Sequence, residues 1–514
     1  MKLFASALAS HARLRPNAVA FMNTDTSISY SDLFSLVNRF ADNLLRDGVQ
    51  VIGLYMDNSP AWAVMDLAAQ IAGVTQVPLP GFFSDQQLKH AIEDSGIECI
   101  CTDHPQRIAM LSSENHPFHI SGPESLAGTT YQRICLSPSS RRRHHSSIAK
   151  ITYTSGTTGN PKGVCLSQQT LEAVSTALRD AIGVENSDRH LSIMPLSTLL
   201  ENIGGVYVPL LAGACSCLPS FSNTGMHGAT NFDASCTLDL IHEHQITSLI
   251  LTPQLLQGLI RAIVAGGEKG DRSPESLRFV AVGGAPVSQT LLARGQDLGL
   301  SVYEGYGLSE CGSVVAVNTP EQHRSGSVGK PLAHNTLRFA DDGEILVKGR
   351  LFQGYLNEHA SFSKDGYWPT GDLGYLDESG FLYITGRKKN VFITSYGRNV
   401  APEWVERELT AHPGILQAVL FGEGRPWNTA IIVPALVHGR GANKAEIDQA
   451  VELCNRLLPD YARIHSWILA ESPFTVSNYQ LTGTGRPRRK NIWSHYQAWI
   501  DTGYEADSCV EPAQ

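Results

Sequence analysis

Charged side chains are scarce in this chain. Lys, Arg, Asp and Glu make up 17% of its 514 residues, against about 25% in ordinary globular proteins. Apolar residues supply 42%. A chain of this length and polarity buries a large core, which excludes global disorder. Positive charge is in deficit, with 40 Lys and Arg against 49 Asp and Glu and a net charge of -9. That balance excludes nucleic acid as a partner, because such binding needs a basic footprint. Anionic small ligands stay open, since a local field can oppose the net charge. The one basic run, Arg141-Arg142-Arg143-His144-His145, lies between serine-rich flanks and reads as a solvated loop.

Ten cysteines are too few for a disulfide scaffold. The Cys99/Cys101 and Cys215/Cys217 pairs have no His or Cys at zinc-ligand spacing. Reduced, mostly buried thiols and a cytoplasmic location are expected. No apolar stretch reaches the roughly 18 residues of a spanning helix, so any membrane contact is peripheral. The start of the chain, Met1-Lys2-Leu3-Phe4, faintly imitates a secretory leader. His11-Ala12-Arg13 interrupts it, and a surface helix is expected instead.

Length alone allows three or four units of about 150 residues, or two domains of unequal size. The pattern favours the second. Val51 to Met56 reads as a buried strand, Ala61 to Ala72 as a helix and Ser84 to Asp94 as another, with Val77-Leu79 and two prolines breaking between them. Ile97 to Thr102 is a further strand. The rhythm returns in the strand Ser248 to Thr252, the helix Gln254 to Ala265 and the strand Arg278 to Val282. Such alternation predicts an α/β fold, with parallel or mixed sheets covered by helices. Between about 325 and 386 short β runs such as Gly343 to Val347 predict a small β subdomain. Beyond 386 the pattern is α+β, with helices at Pro402 to His412 and Lys444 to Leu457 and strands at Ala418 to Gly422 and Thr429 to Pro434.

The strongest chemical signal runs from Ile151 to Gly163 and reads Thr154-Ser155-Gly156-Thr157-Thr158-Gly159-Asn160-Pro161-Lys162-Gly163 at its centre. Glycines let backbone N–H groups converge on an anion, hydroxyls add donors, and a lysine brings charge to outer phosphates. The spacing is not that of the Walker loop.

This stretch resembles the phosphate loop of the adenylate-forming superfamily, which includes acyl-CoA synthetases, peptide-synthetase adenylation domains and firefly-type luciferases. Further motifs follow in that family's order, so the resemblance covers nearly the whole chain. Gly283-Gly284-Ala285-Pro286 is similar to the strand-end turn against the purine. Tyr303-Glu304-Gly305-Tyr306-Gly307-Leu308-Ser309-Glu310 resembles the motif whose aromatic stacks on adenine, whose hydroxyl touches the α-phosphate and whose carboxylate holds Mg²⁺. The resemblance thus implies these roles for Tyr306, Ser309 and Glu310. It places Asp372, within Tyr367 to Leu373, and Arg387 on the ribose, and the hinge of a mobile small domain at Lys389. Gly397 to Glu403 would line the thiol's entry.

An ATP- and acyl-binding domain over 1–386 and a mobile α+β domain over 387–514 are therefore expected. The reaction implied joins a carboxylic acid to AMP, then passes the acyl group to coenzyme A or to the phosphopantetheine of an acyl carrier protein. A nucleotide- or acyl-binding relative without turnover is the further alternative. Two departures stand out. Arg486 occupies the position of the family's adenylation lysine, and guanidinium differs from ammonium in shape and hydration. Thr198, within Met194 to Glu201, stands where members often carry His or an aromatic. The tail from Leu458 to Thr482 looks like the long-chain fatty acyl members, so a medium- to long-chain fatty acid is the expected substrate. Gly204, Gly205, Gly213 and Ala214 either leave room for an acyl chain or serve packing and turns.

Overall fold

The computed structural model describes residues 2–111, 118–136, 147–154, 161–227, 231–266, 274–285, 287–358, 362–437, 440–482 and 485–507. The basic run at 141–145 and the centre of the phosphate-loop motif, Ser155, Gly156, Thr157, Thr158 and Gly159, lie outside the described residues.

Two nine-stranded sheets form the larger part. In one, the strands Val302–Tyr306, Phe279–Val282, Ser248–Leu251, Arg189–Leu191, Cys215–Cys217 and Val19–Met22 run parallel in that spatial order, with antiparallel pairs at both edges. In the other, Ile148–Thr154, Thr75–Pro78, Val51–Tyr55 and Cys99–Thr102 are parallel neighbours. Thr75–Pro78 is a strand that the sequence reading took only as a helix break. Its run is short, and Pro78 and Pro80 mask it; the parallel pairing to Val51–Tyr55 makes it.

The helix Pro60–Ala72 has eleven of its thirteen residues buried, which the sandwich position demands. Ser59 caps its first turn, where Pro60 needs no N–H partner, and Gly73 closes it at φ +75°. The β subdomain is the four-stranded antiparallel sheet Asn335–Phe339, Glu344–Gly349, Trp368–Leu376 and Leu382–Arg387. Further on, Ile415–Phe421, Asn428–Pro434 and Ile464–Leu469 form a three-stranded sheet flanked by the helices Pro402–Thr410, Lys444–Leu457 and Arg489–Asp507. The apolar residues of this part make clusters of their own on both faces of that sheet. Among the described residues no helix is long and apolar enough to cross a membrane, and every cysteine is free.

A sealed ion pair ties the core together. Lys150 is fully buried and donates to Asp66 Oδ1 and Gln76 Oε1, both at 2.6 Å. The other Asp66 oxygen accepts from Asn202 at 3.1 Å. Removing one partner of such a pair strands a charge. Lys150→Met should therefore lower the unfolding free energy by about 3–5 kcal/mol in a denaturant titration, whereas replacing Lys150 and Asp66 together with apolar residues should recover most of that loss.

Candidate active site

All the described residues that the sequence assigned to nucleotide and catalysis line one cleft of about 2050 Å³ between the sheets, the β subdomain and the C-terminal part. The strands Ile148–Thr154 and Lys162–Ser167 pair antiparallel, with Thr154 opposite Lys162, so the two described ends of the phosphate-loop motif stand side by side. Lys162 Nζ lies 2.7 Å from Glu358 Oε2 and 5.1 Å from the centroid of the Tyr355 ring. Both Lys162 and Glu358 are about half exposed, so a phosphate can replace Glu358 at small cost. The same Tyr355 donates its hydroxyl to Glu310 Oε1 at 2.7 Å. One tyrosine thus joins the loop lysine to the acidic end of the Tyr303–Glu310 motif. Tyr355 reaches this place because Gly354–Tyr355 pairs along Lys162–Ser167.

Glu310 sits in a single 3₁₀ turn, Ser309–Cys311, that follows the parallel strand Val302–Tyr306. Gly307 is required there: a Cβ would lie 1.7 Å from the Ser313 carbonyl oxygen. Gly283 is required likewise, its Cβ direction meeting the Gly305 carbonyl at 2.9 Å. Gly284, at φ +80°, has open space on its Cβ side, and Ala285 follows it on the cleft wall.

Asp372 and Arg387 are cross-strand partners, joined by Arg387 Nε to Asp372 Oδ1 at 2.8 Å. Tyr306 donates its hydroxyl to Asp372 Oδ2 at 2.8 Å. Burial and then the Asp372 charge push the Tyr306 phenol well above its usual pKa, so it remains a donor at every working pH. Arg486 enters the cleft from the C-terminal part and donates from Nε and Nη2 to the Gly284 carbonyl, at 3.1 and 2.9 Å. Desolvation by the cleft walls and then the Arg387 charge draw its pKa below the ordinary arginine value, while Asp372, Glu310 and Tyr306 oppose them. Arg486 is still open to water within the cleft and stays protonated. Lys490, the nearest lysine in sequence, does not reach the cleft. It lies exposed in the first turn of Arg489–Asp507, a helix anchored by Arg489 on Glu406. Lys389 lines the cleft too, its pKa lowered by desolvation and then by Arg387 and Arg486.

Sequence reasoning missed Tyr355, Glu358 and Glu304. No local signal marks the first two, because strand pairing alone delivers them. Glu304 lies within the Tyr303–Glu310 motif but was left without a role. Of the small residues, Gly205 packs against Ser192 and Glu201, Gly213 closes a helix at φ +73°, and the Ala214 carbonyl accepts from Tyr30. Gly204 and Ala214 line the cleft, as Thr198 does.

The cleft is chemically suited to Mg·ATP. Glu310 offers hard carboxylate oxygen beside a phosphate-seeking lysine, as magnesium prefers. Among the described residues no group of three or more His, Cys, Asp or Glu could hold a metal unaided. The remaining ligands would be phosphate and water oxygens.

Comparison with known proteins agrees with this geometry. Residues 8–356 match the AMP-binding enzyme family and residues 389–508 its C-terminal domain. The chain belongs to the AMP-binding enzyme family. It is an AMP-forming acid–thiol ligase. It is 29% identical to the long-chain-fatty-acid–CoA ligase FadD15 of Mycobacterium bovis, over 94% of this chain and 93% of that protein. It is 27% identical to the 2-succinylbenzoate–CoA ligase of Bacillus subtilis, over 94% of this chain and 98% of that one. Its fold matches the anthranilate CoA ligase AuaEII in complex with anthranoyl-AMP, with a TM-score of 0.78 at 19% identity over 96% of both chains. It also matches the Bacillus subtilis O-succinylbenzoate coenzyme A synthetase in complex with ATP and magnesium, with a TM-score of 0.72 at 24% identity, covering 92% of this chain and 97% of that one.

Glu304 gives the cleft a pH signature. Burial raises its carboxyl to about 8, against smaller opposing effects of Arg407 and the Val287 N–H. A carboxyl raised on folding contributes stability that is complete below its unfolded value of 4.5 and is lost as pH climbs through about 8. Glu304→Gln should therefore match the wild type in denaturant stability at acid pH. It should overtake the wild type progressively up to about pH 8 and run parallel above that.

Proposed function

We propose that this enzyme activates a medium- to long-chain fatty acid with Mg·ATP and transfers the acyl group to coenzyme A. The observation that carries the chain-length reading is the apolar side of the cleft. Beyond Gly283 and Gly284 the cavity is walled by Leu200, Gly204, Ile250, Phe279 and Ala281, a surface that rewards burial of methylenes at about 0.8 kcal/mol each. The Mycobacterium bovis relative, a long-chain-fatty-acid–CoA ligase, supports the same substrate class.

In the first half-reaction the carboxylate oxygen attacks the α-phosphorus and pyrophosphate leaves, giving acyl-AMP. Lys162 and the phosphate loop bind the outer phosphates, with Thr154, Ser155, Gly156, Thr157, Thr158 and Gly159 as its donors. Tyr306, Gly283, Gly284 and Ala285 frame the adenine. Asp372 takes the ribose hydroxyls, and Arg387 holds that carboxylate in place. Ser309 donates to the α-phosphate. Glu310 would hold Mg²⁺, which supplies charge neutralisation at the phosphates. Arg486, already beside the Gly284 carbonyl, supplies positive charge to the pentavalent phosphorus. In the second half-reaction the thiol sulfur attacks the acyl carbon, the C–O bond to AMP breaks, and AMP leaves. The bodies 1–386 and 387–514 exchange faces between the two steps by rotation about Lys389.

Pyrophosphate exchange with a panel of acids tests this directly. Medium- to long-chain fatty acids should support exchange. Arg486→Ala should depress it about 10²-fold, and Arg486→Lys should raise it, because the compact ammonium approaches the bridging oxygen more closely. Exchange confined to aromatic or short acids would overturn the substrate class. Thioester formation with coenzyme A, and none with a phosphopantetheinylated carrier protein, is the expected result for the acceptor.

A further inference from the structure

The apolar wall of the cavity is interrupted where His190 meets Ser248. Along Ser248–Leu251 side chains alternate, so Ser248 and Ile250 face the same way. The parallel register sets His190 beside Ser248, and Phe279 and Ala281 beside Ser248 and Ile250. The π-helical segment Ile203–Tyr207 packs onto this face so closely that a Cβ on Gly204 would lie 2.4 Å from Ile250 Cδ1. Gly283, where the nucleotide side begins, is four residues along its strand from Phe279, a span of about 13 Å. Ser248 and His190 therefore stand at the far end of the channel, and both line it.

The polar groups there form a chain. His190 Nδ1 is 3.0 Å from Ser248 Oγ, and His190 Nε2 is 3.1 Å from Glu201 Oε1. His190 is 5% exposed and Glu201 fully buried. Glu201 Oε2 and the neighbouring Ser192 Oγ have no hydrogen-bond partner among the described residues. Ser248 itself is partly open to the cavity. An apolar chain end would gain nothing from a buried histidine and carboxylate, whose desolvation is costly.

We propose that Ser248, positioned by His190 and Glu201, reads a hydroxyl at the distal end of the acyl chain, making the substrate class a medium-chain ω-hydroxy acid. With the imidazole Nε2–H donated to Glu201, Nδ1 accepts the Ser248 proton, and the serine oxygen is left to accept from a substrate hydroxyl. Arg278, the cation that lines that end of the cavity, is already held by Asp188, so a second carboxylate there would have to displace an existing ion pair. This inference rests on the cavity being the acyl channel of the proposed function.

The test compares kcat/KM for thioester formation with straight-chain acids and their ω-hydroxy counterparts, in the wild type and in Ser248→Ala. At the best-fitting length the wild type should favour the hydroxy acid by about tenfold, chiefly through KM. Ser248→Ala should lower kcat/KM for the hydroxy acid and raise it for the plain acid, reversing the order; a merely structural serine would depress both together. Equal or better use of plain acids by the wild type at every length overturns this inference and leaves fatty-acid activation standing. Absence of turnover with every acid would overturn that activation reading and this inference with it. Should Ser248→Ala fail to fold, the wild-type ratio alone decides.

Discussion

An ammonium group with no access to water sets the terms of this structure. Lys150 carries its charge into the space between the two large sheets, where desolvation lowers its pKa and Asp66 raises it again. The rings of Trp62 and Tyr207 lie 5.7 and 5.6 Å away and add the attraction of their faces. A charge so placed is tolerable only while its partners hold position. Those partners come from separate elements. Lys150 lies in the strand that leads to the phosphate-loop motif, Asp66 in the buried helix Pro60–Ala72, and Asn202 just before the π-helical segment against the apolar end of the cleft. The strand before the phosphate-loop motif and the apolar end of the cleft therefore share one post.

The cleft itself is organised around interchangeable partners. Glu310 holds Tyr355, Lys162 holds Glu358, Asp372 holds Tyr306 and Arg387, and Arg486 holds a backbone carbonyl. Lys162, Asp372 and Arg486 already bear hydrogen bonds of the kind a nucleotide's phosphates and ribose would offer, and the Glu310 carboxylate is met by a tyrosine hydroxyl. Binding can thus exchange one partner for another without first exposing a naked charge, and the site stays ordered in both situations. Glu304 is the exception, since burial pushes its carboxyl up to about 8.

Much of this was legible in sequence. The helix Lys444–Leu457 begins and ends where the sequence pattern places it, and Asn443 caps it. The order of the Gly283, Tyr303, Tyr367 and Gly386 motifs foretold residues that do converge. What escaped was short or non-local. Thr75–Pro78 has four residues and a proline, and only its neighbours make it a strand. Tyr355 carries no motif, yet strand pairing to Lys162–Ser167 sets it between Lys162 and Glu310. Small residues were ambiguous for a sound reason: a glycine that leaves room for a ligand and one that lets a side chain close in look alike until the neighbour is known, and Gly204 packs on Ile250 as Gly205 does on Ser192, although Gly204 also lines the cleft.

The sequence by itself determined the chemistry of the individual parts. It supplied a hydroxyl- and glycine-rich loop ended by lysine, a carboxylate after Ser309, a carboxylate in a Gly turn and an arginine in a C-terminal loop, because each depends on residue type at short spacing. Tertiary structure alone decided which of these meet. Arg486 reaches Gly284 across 202 residues and Glu310 reaches Tyr355 across 45. It also joined a histidine, a serine and a buried glutamate beside the apolar end of the cleft. Contacts of that kind follow from parallel strand order and helix packing, and no local pattern encodes them.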